Sequence, residues 1–155
     1  MQPEESRHLK QSIDLARRAR ERGNHPFGAV LVDRNGRVLL EGENTVVTER
    51  DCTGHAESNL MREATQHYAP EQLAGSTLYA STEPCAMCAG AIFWGGVRRI
   101  VFALSSEQLG QFTRPDEPSL RMSCRDVVAR GSEPTEVVGP VELPEARAVH
   151  EGFWT

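Results

Sequence analysis

No run of about 18 apolar residues, the length a membrane-spanning helix needs, occurs in this 155-residue chain. The opening, Met1-Gln2-Pro3-Glu4-Glu5, lacks a basic start and an apolar segment, so it does not read as a secretory signal. Positive charge is in deficit. Seventeen Lys and Arg stand against 22 Asp and Glu, a formal net charge of −5, which leaves no broad basic field for nucleic acid or an anionic membrane. Internal repeats and low-complexity segments are missing. Aromatic residues are few, at 6%, yet two of them, Phe153 and Trp154, stand at the end of the chain, where large apolar groups would fray unless they dock.

Cysteine is also scarce: Cys52, Cys85, Cys88 and Cys124. Two disulfides are possible on that count. The close pair Cys85/Cys88 suits a metal better, however, and Cys52 and Cys124 have no evident partner, so we read a reducing, cytoplasmic compartment. What is present is ordinary for a soluble globular protein, 39% hydrophobic and 25% charged, and the length suits one domain over residues 1–155.

The pattern alternates helix and strand. Residues 4–22 read as a helix with Leu9, Ile13, Ala16 and Ala19 on one face, ended by Gly23. Arg17, Arg18, Arg20 and Arg22 collect at its end, either as a solvated face complementing the helix dipole or as a phosphate contact. Phe27–Val32 and Val38–Leu40 read as a hairpin turning at Asn35-Gly36. Gly28 there has two readings, ligand approach or tight strand packing. A helix is expected from about His55 to His67, a central strand at Leu78–Ala80, a helix opened by Pro84 at its first position, and a strand at Arg99–Ala103. A long loop follows from Ser105 to Ser119, then a short helix within 120–130, a strand at Glu136–Val138 and helical character at 144–150. This order argues for an α/β sheet with helices on its faces.

The chemistry concentrates in two stretches. Pro84-Cys85-Ala86-Met87-Cys88 brings two thiolates to one helix start, and His55-Ala56-Glu57 adds an imidazole and a carboxylate, with 26 residues between Glu57 and Pro84. His55, Cys85 and Cys88 form a three-ligand zinc set with one open position, where a metal lowers the pKa of bound water. Both motifs begin helices, whose dipoles favour thiolate. Glu57 is not spaced as an obvious ligand and is the proton shuttle for water attack on a ring carbon bearing an exocyclic amine. A closed structural zinc site would need a fourth ligand, with Cys52, Cys124 or Glu57 as candidates. Asn44, at the end of the second strand, is either a turn cap or a group that hydrogen-bonds substrate.

These stretches, with Pro26-Phe27-Gly28-Ala29-Val30, Glu41-Gly42-Glu43-Asn44 and the continuation to Ile92, resemble the cytidine deaminase-like superfamily in its purine branch, over about residues 6–110. The resemblance implies a three-layer α/β/α fold with a mixed five-stranded sheet, one Zn²⁺ per subunit, and a homodimer that is swapped at its C-terminus in some members. It implies Asn44 and the backbone of Ala56 as base contacts. Phe27, Trp94, Asp116, His150, Phe153 and Trp154 are further substrate-site candidates, with His150 a polar contact at the pocket mouth and His25 near its other side. The substrate reading is a small purine, first guanine giving xanthine and ammonia. The alternatives are a tRNA-specific adenosine deaminase or a deaminase of cytosine, adenine or guanosine.

Overall fold

The structure, a computed structural model, describes residues 2–155. Five strands form one mixed sheet in the order β2-β1-β3-β4-β5: β1 Gly28–Val32, β2 Val38–Glu43, β3 Thr77–Thr82, β4 Arg99–Leu104 and β5 Glu136–Val138. The helices are α1 Pro3–Glu21, α2 Val46–Glu49, α3 Ala56–His67, α4 Pro70–Ala74, α5 Ala86–Gly95, α6 Ser106–Leu109, α7 Cys124–Ala129 and α8 Pro144–Ala148. β1 pairs antiparallel with both β2 and β3, whereas β3, β4 and β5 run parallel. Parallel neighbours need crossovers, and α5 and α7 lie in the two crossing segments.

Every residue of β1 is buried, as a continuous apolar run between two covered faces requires. One face packs Leu60, Met61 and Ala64 of α3, Ala89 and Ile92 of α5 and Val128 of α7 onto Leu31, Leu78 and Phe102. The other packs Leu9, Ile13 and Ala16 of α1 and Ala146 of α8 onto Val30, Tyr79 and Val101. The three layers expected from the sequence are therefore present. Their hairpin turns where Asn35-Gly36 indicated: Asp33 Oδ1 accepts from the amides of Asn35 and Arg37, each at 2.9 Å, and Gly36 takes the positive φ of 82° that glycine tolerates.

Two local expectations change, and the open reading of Gly28 is decided. Pro84 lies one residue before the cap Cys85 and not at the first helical position. The 105–119 loop contains the short helix α6, capped by Ser105 Oγ accepting from Gln108 N. Gly28 faces α1, where a Cβ would collide with the backbone of Ser12 and Ala16, so its role is close helix–strand packing.

Register decides where the chemistry can sit. Gly28 lies opposite Glu43, Ala29 opposite Ala80, and Thr82 opposite Leu104. The start of β1, the end of β2 and the carboxyl ends of β3 and β4 therefore meet at one edge of the sheet. Carboxyl ends of parallel strands are the usual mouth of such a sheet, where side chains from several connections converge.

Candidate active site

Two helix starts converge at this edge. His55 and Cys85 are the cap residues of α3 and α5, each with extended backbone, and Cys88 lies in the first turn of α5. His55 Nδ1 stands 3.5 Å from Cys85 Sγ and 3.4 Å from Cys88 Sγ. The three donor atoms lie within 4.8 Å of one another. Tetrahedral zinc with Zn–S of about 2.3 Å and Zn–N of about 2.0 Å sets N and S about 3.5 Å apart, so both donor set and spacing fit that ion. Among the described residues no fourth side chain joins the cluster. Cys52 is exposed, and Cys124 is buried with its amide on Glu83 Oε2 at 2.8 Å. The geometry is that of an open site.

The two thiols share a proton. A hydrogen bond from Cys88 holds the Cys85 thiol down at about 4, helped by His55, and the same bond with burial pushes Cys88 up. The hydrogen bond to Cys85 raises His55. Ser58 Oγ, one turn along α3, lies 3.2 Å from Cys88 Sγ and fixes that sulfur's orientation, a supporting contact the sequence motifs did not signal.

Glu57 is the second residue of α3 and is buried. Burial pushes its carboxyl up to about 7, against a hydrogen bond from its own amide. A carboxyl at that value holds and releases a proton near neutrality. Ala56, fully buried beside it, heads the helix, where first-turn amides lack intrahelical partners. Asn44 is 1% exposed. Its Oδ1 accepts from Val46 N at 3.1 Å, so it does cap a turn, while among the described residues nothing accepts from its Nδ2. Its amide N donates to Phe27 O at 3.2 Å, which sets Phe27 and Asn44 side by side across the strand ends.

The C-terminal segment closes over Phe27 within its own chain. The Phe27 ring centroid lies 5.4 Å from that of His150 and 6.0 Å from that of Trp154. His25 lies 5.8 Å from Phe153 and 5.3 Å from Trp154. His150 is fully enclosed, its Nε2 3.1 Å from Thr82 Oγ1 and its Nδ1 accepting from Trp154 Nε1–H at 3.1 Å. Both ring nitrogens are thus engaged inside the chain, so His150 is not the polar contact at the pocket mouth that its position suggested. A cavity of about 140 Å³ opens beside the tail, lined by His25, Arg114, Glu117, Phe153, Trp154 and Thr155. A larger groove of about 400 Å³ lies over β2 and α3 among Arg22, Glu41, Glu43 and Arg62 and shares no residue with the metal cluster.

Two expected site residues are not brought here. Trp94 is 85% exposed and packs edge-on against Phe93. It sits nine residues beyond Cys85 and six beyond Cys88 on a helix rising about 1.5 Å per residue, which carries it about 13 Å and about 9 Å along the axis from the two ligands. Asp116 projects outward from the 110–123 loop, its side chain 81% exposed and paired with Arg114 at 3.6 Å. The arginine cluster is also accounted for. Arg17 pairs with Asp14, Arg18 with Glu41 and Glu43, and Arg22 with Glu43, while Arg20 donates to the carbonyls of Val149 and Glu151. Arg17, Arg18 and Arg22 are thus a solvated face at the helix end that also carries surface ion pairs, while Arg20 holds the tail.

Comparison with known proteins agrees with this geometry. Residues 2–104 match the model of the cytidine and deoxycytidylate deaminase zinc-binding region. A probable cytosine deaminase of Schizosaccharomyces pombe is 43% identical over 149 residues, covering 95% of this chain and 90% of that protein. A tRNA-specific adenosine deaminase of Haemophilus influenzae is 38% identical over 102 residues, 66% of this chain and 59% of its own length. Among solved structures, a guanine deaminase from Nitrosomonas europaea superposes with a TM-score of 0.76 at 26% identity, covering 96% of this chain and 82% of that one.

Proposed function

The chain belongs to the family defined by the cytidine and deoxycytidylate deaminase zinc-binding region, a family of hydrolytic deaminases, and on that basis we propose that it deaminates a free nucleobase, guanine first. The observation that supports the free-base reading is the tail packed on Phe27 beside Asn44, with a cavity of about 140 Å³ next to Phe153 and Trp154, which offers aromatic walls to one planar ring. A polynucleotide needs an open approach and cations to follow its phosphates. Arg114, which lines the cavity beside the tail, is instead paired with Asp116 and Glu117, and Arg20 donates to the carbonyls of Val149 and Glu151.

His55, Cys85 and Cys88 would hold zinc, which when bound supplies a Lewis acid that activates water. Phe27 and Trp154 stack on the base, Asn44 Nδ2 donates to its carbonyl oxygen, and the Ala56 amide meets its polar edge. Glu57 takes a proton from the attacking water at its carboxylate oxygen and delivers it to the ring nitrogen beside the amino-bearing carbon. A second transfer protonates the departing amine. Water's oxygen becomes the product carbonyl, the C–N bond breaks and ammonia leaves. A homodimer, supported by the family resemblance, completes the proposal.

Cytosine is the second reading, favoured by the S. pombe relative matched over 95% of the chain. Ammonia release from guanine, cytosine, adenine, their nucleosides and an adenosine-bearing anticodon stem-loop tests both. The expected result is a higher kcat/KM for a free base than for any nucleoside or the stem-loop. Preference for the stem-loop would overturn the free-base reading, and preference for cytosine would select the second substrate.

A further inference from the structure

His150 is fully buried yet touches neither a metal ligand nor the position where Asn44 and Glu57 face the base. Its two nitrogens join distant parts of the chain. Nε2 meets Thr82 at the end of β3, three residues before Cys85, and Nδ1 accepts from the indole of Trp154. Because Nδ1 is an acceptor, the ring is neutral with its proton on Nε2, which it donates to Thr82 Oγ1. Burial favours the same state, holding the imidazole down at about 4. A second clamp acts on the backbone. Arg20 donates to Val149 O at 2.9 Å and to Glu151 O at 2.7 Å, and its guanidinium lies 5.6 Å from the centre of the Phe153 ring. The neighbours of His150 on every side are Phe27, Phe112, Thr82, Trp154 and, as the one charged group acting on it, Arg20.

We infer that His150 is a positioning residue for substrate selection: it references the Trp154 ring to the end of β3, which leads into the helix start holding Cys85 and Cys88, and so sets where the aromatic wall stands against the base. Thr82 is fixed by its pairing with Leu104 in the sheet, whereas residues 150–155 lie outside any helix or strand. Without the relay of two hydrogen bonds, Trp154 would keep only ring contacts, to His25, Phe27, Phe153 and the ring at position 150, which are tolerant of sliding. The hydrogen bonds convert a loosely stacked wall into one held at a fixed separation from Cys85.

This inference rests on the free-base reading, and its test carries a readout that does not need turnover. The chain has two tryptophans. In a Trp94→Phe background, fluorescence reports Trp154 alone, and all comparisons are made within that background. His150→Phe keeps the ring volume and removes both hydrogen bonds. The expected result is easier acrylamide quenching of Trp154, unchanged zinc content, and a KM for the preferred base raised about tenfold or more, with a smaller change in kcat. Adding Trp154→Phe to His150→Phe should raise KM no further, because both changes remove the same wall. Thr82→Val, which breaks the relay from its other end, should reproduce the quenching and KM changes and carries the test if His150→Phe does not fold. Unchanged quenching in a folded variant overturns the inference whatever KM does, since a raised KM alone would mean His150 meets the base itself. Multiplying effects in the double variant overturn it as well. Absent base turnover in the parent, with quenching altered as expected, would instead count against the free-base reading.

Discussion

At the scale of single residues, the site depends on how Glu57 and the thiols are buried. Glu57 comes two residues after a ligand on the first turn of α3, where Cys85 and His55 act on its carboxyl through space without its joining the donor group. Glu57→Gln keeps the shape and loses the proton. We expect turnover to fall roughly 10²- to 10⁴-fold, the range for a general acid–base group, while zinc stays near one per chain. Cys88→Ala, by contrast, should lose the metal. Kinetics with metal analysis of both variants checks the pair, and near-normal turnover in Glu57→Gln would show that another group moves the proton.

At the scale of elements, one carboxylate ties the region together. Glu83, two residues before Cys85, is 9% exposed; its Oε1 accepts from Ser106 N at 3.0 Å and its Oε2 from Cys124 N at 2.8 Å. It thereby pins both ends of the 107–123 segment to the link between β3 and the helix start that holds the metal cysteines. In Glu83→Gln an amide NH₂ would face one of those backbone donors, leaving a buried polar group unmatched. The expected cost is about 1–3 kcal/mol, read as a lower urea midpoint with an unchanged m-value. No local pattern announces this role. Thr82-Glu83-Pro84 reads only as a strand running into a helix, because the amides that Glu83 satisfies come 23 and 41 residues later.

At the scale of the molecule, the question is whose site the tail completes. The segment from His150 to Trp154 makes its contacts with His25, Phe27, Thr82 and Arg20 inside one chain. We therefore expect each subunit of a dimer to close its own recess. Co-expressing a chain truncated after Val149 with full-length Glu57→Ala, and isolating the mixed dimer, checks this. An inactive heterodimer is expected: one site lacks its tail, the other its proton carrier. Recovered deamination would show that the tail crosses between subunits.

The sequence by itself determined the α/β alternation, the hairpin at Asn35-Gly36 and the donor set of His55, Cys85 and Cys88. These depend on spacings of a few residues, where helix and turn geometry leave little freedom. The five-stranded mixed sheet followed from the resemblance that the same motifs carry. Only the tertiary structure decided that Trp94 and Asp116 lie away from the cluster, that Arg18 and Arg22 spend their charge on β2, and that His150 faces inward between Thr82 and Trp154. The physical reason is range. The pairs of Arg18 with Glu41, Arg22 with Glu43 and His150 with Thr82 form only after the sheet has set its register and the helices have packed, and partners 21 to 68 residues apart leave no period in the chain from which they could be read.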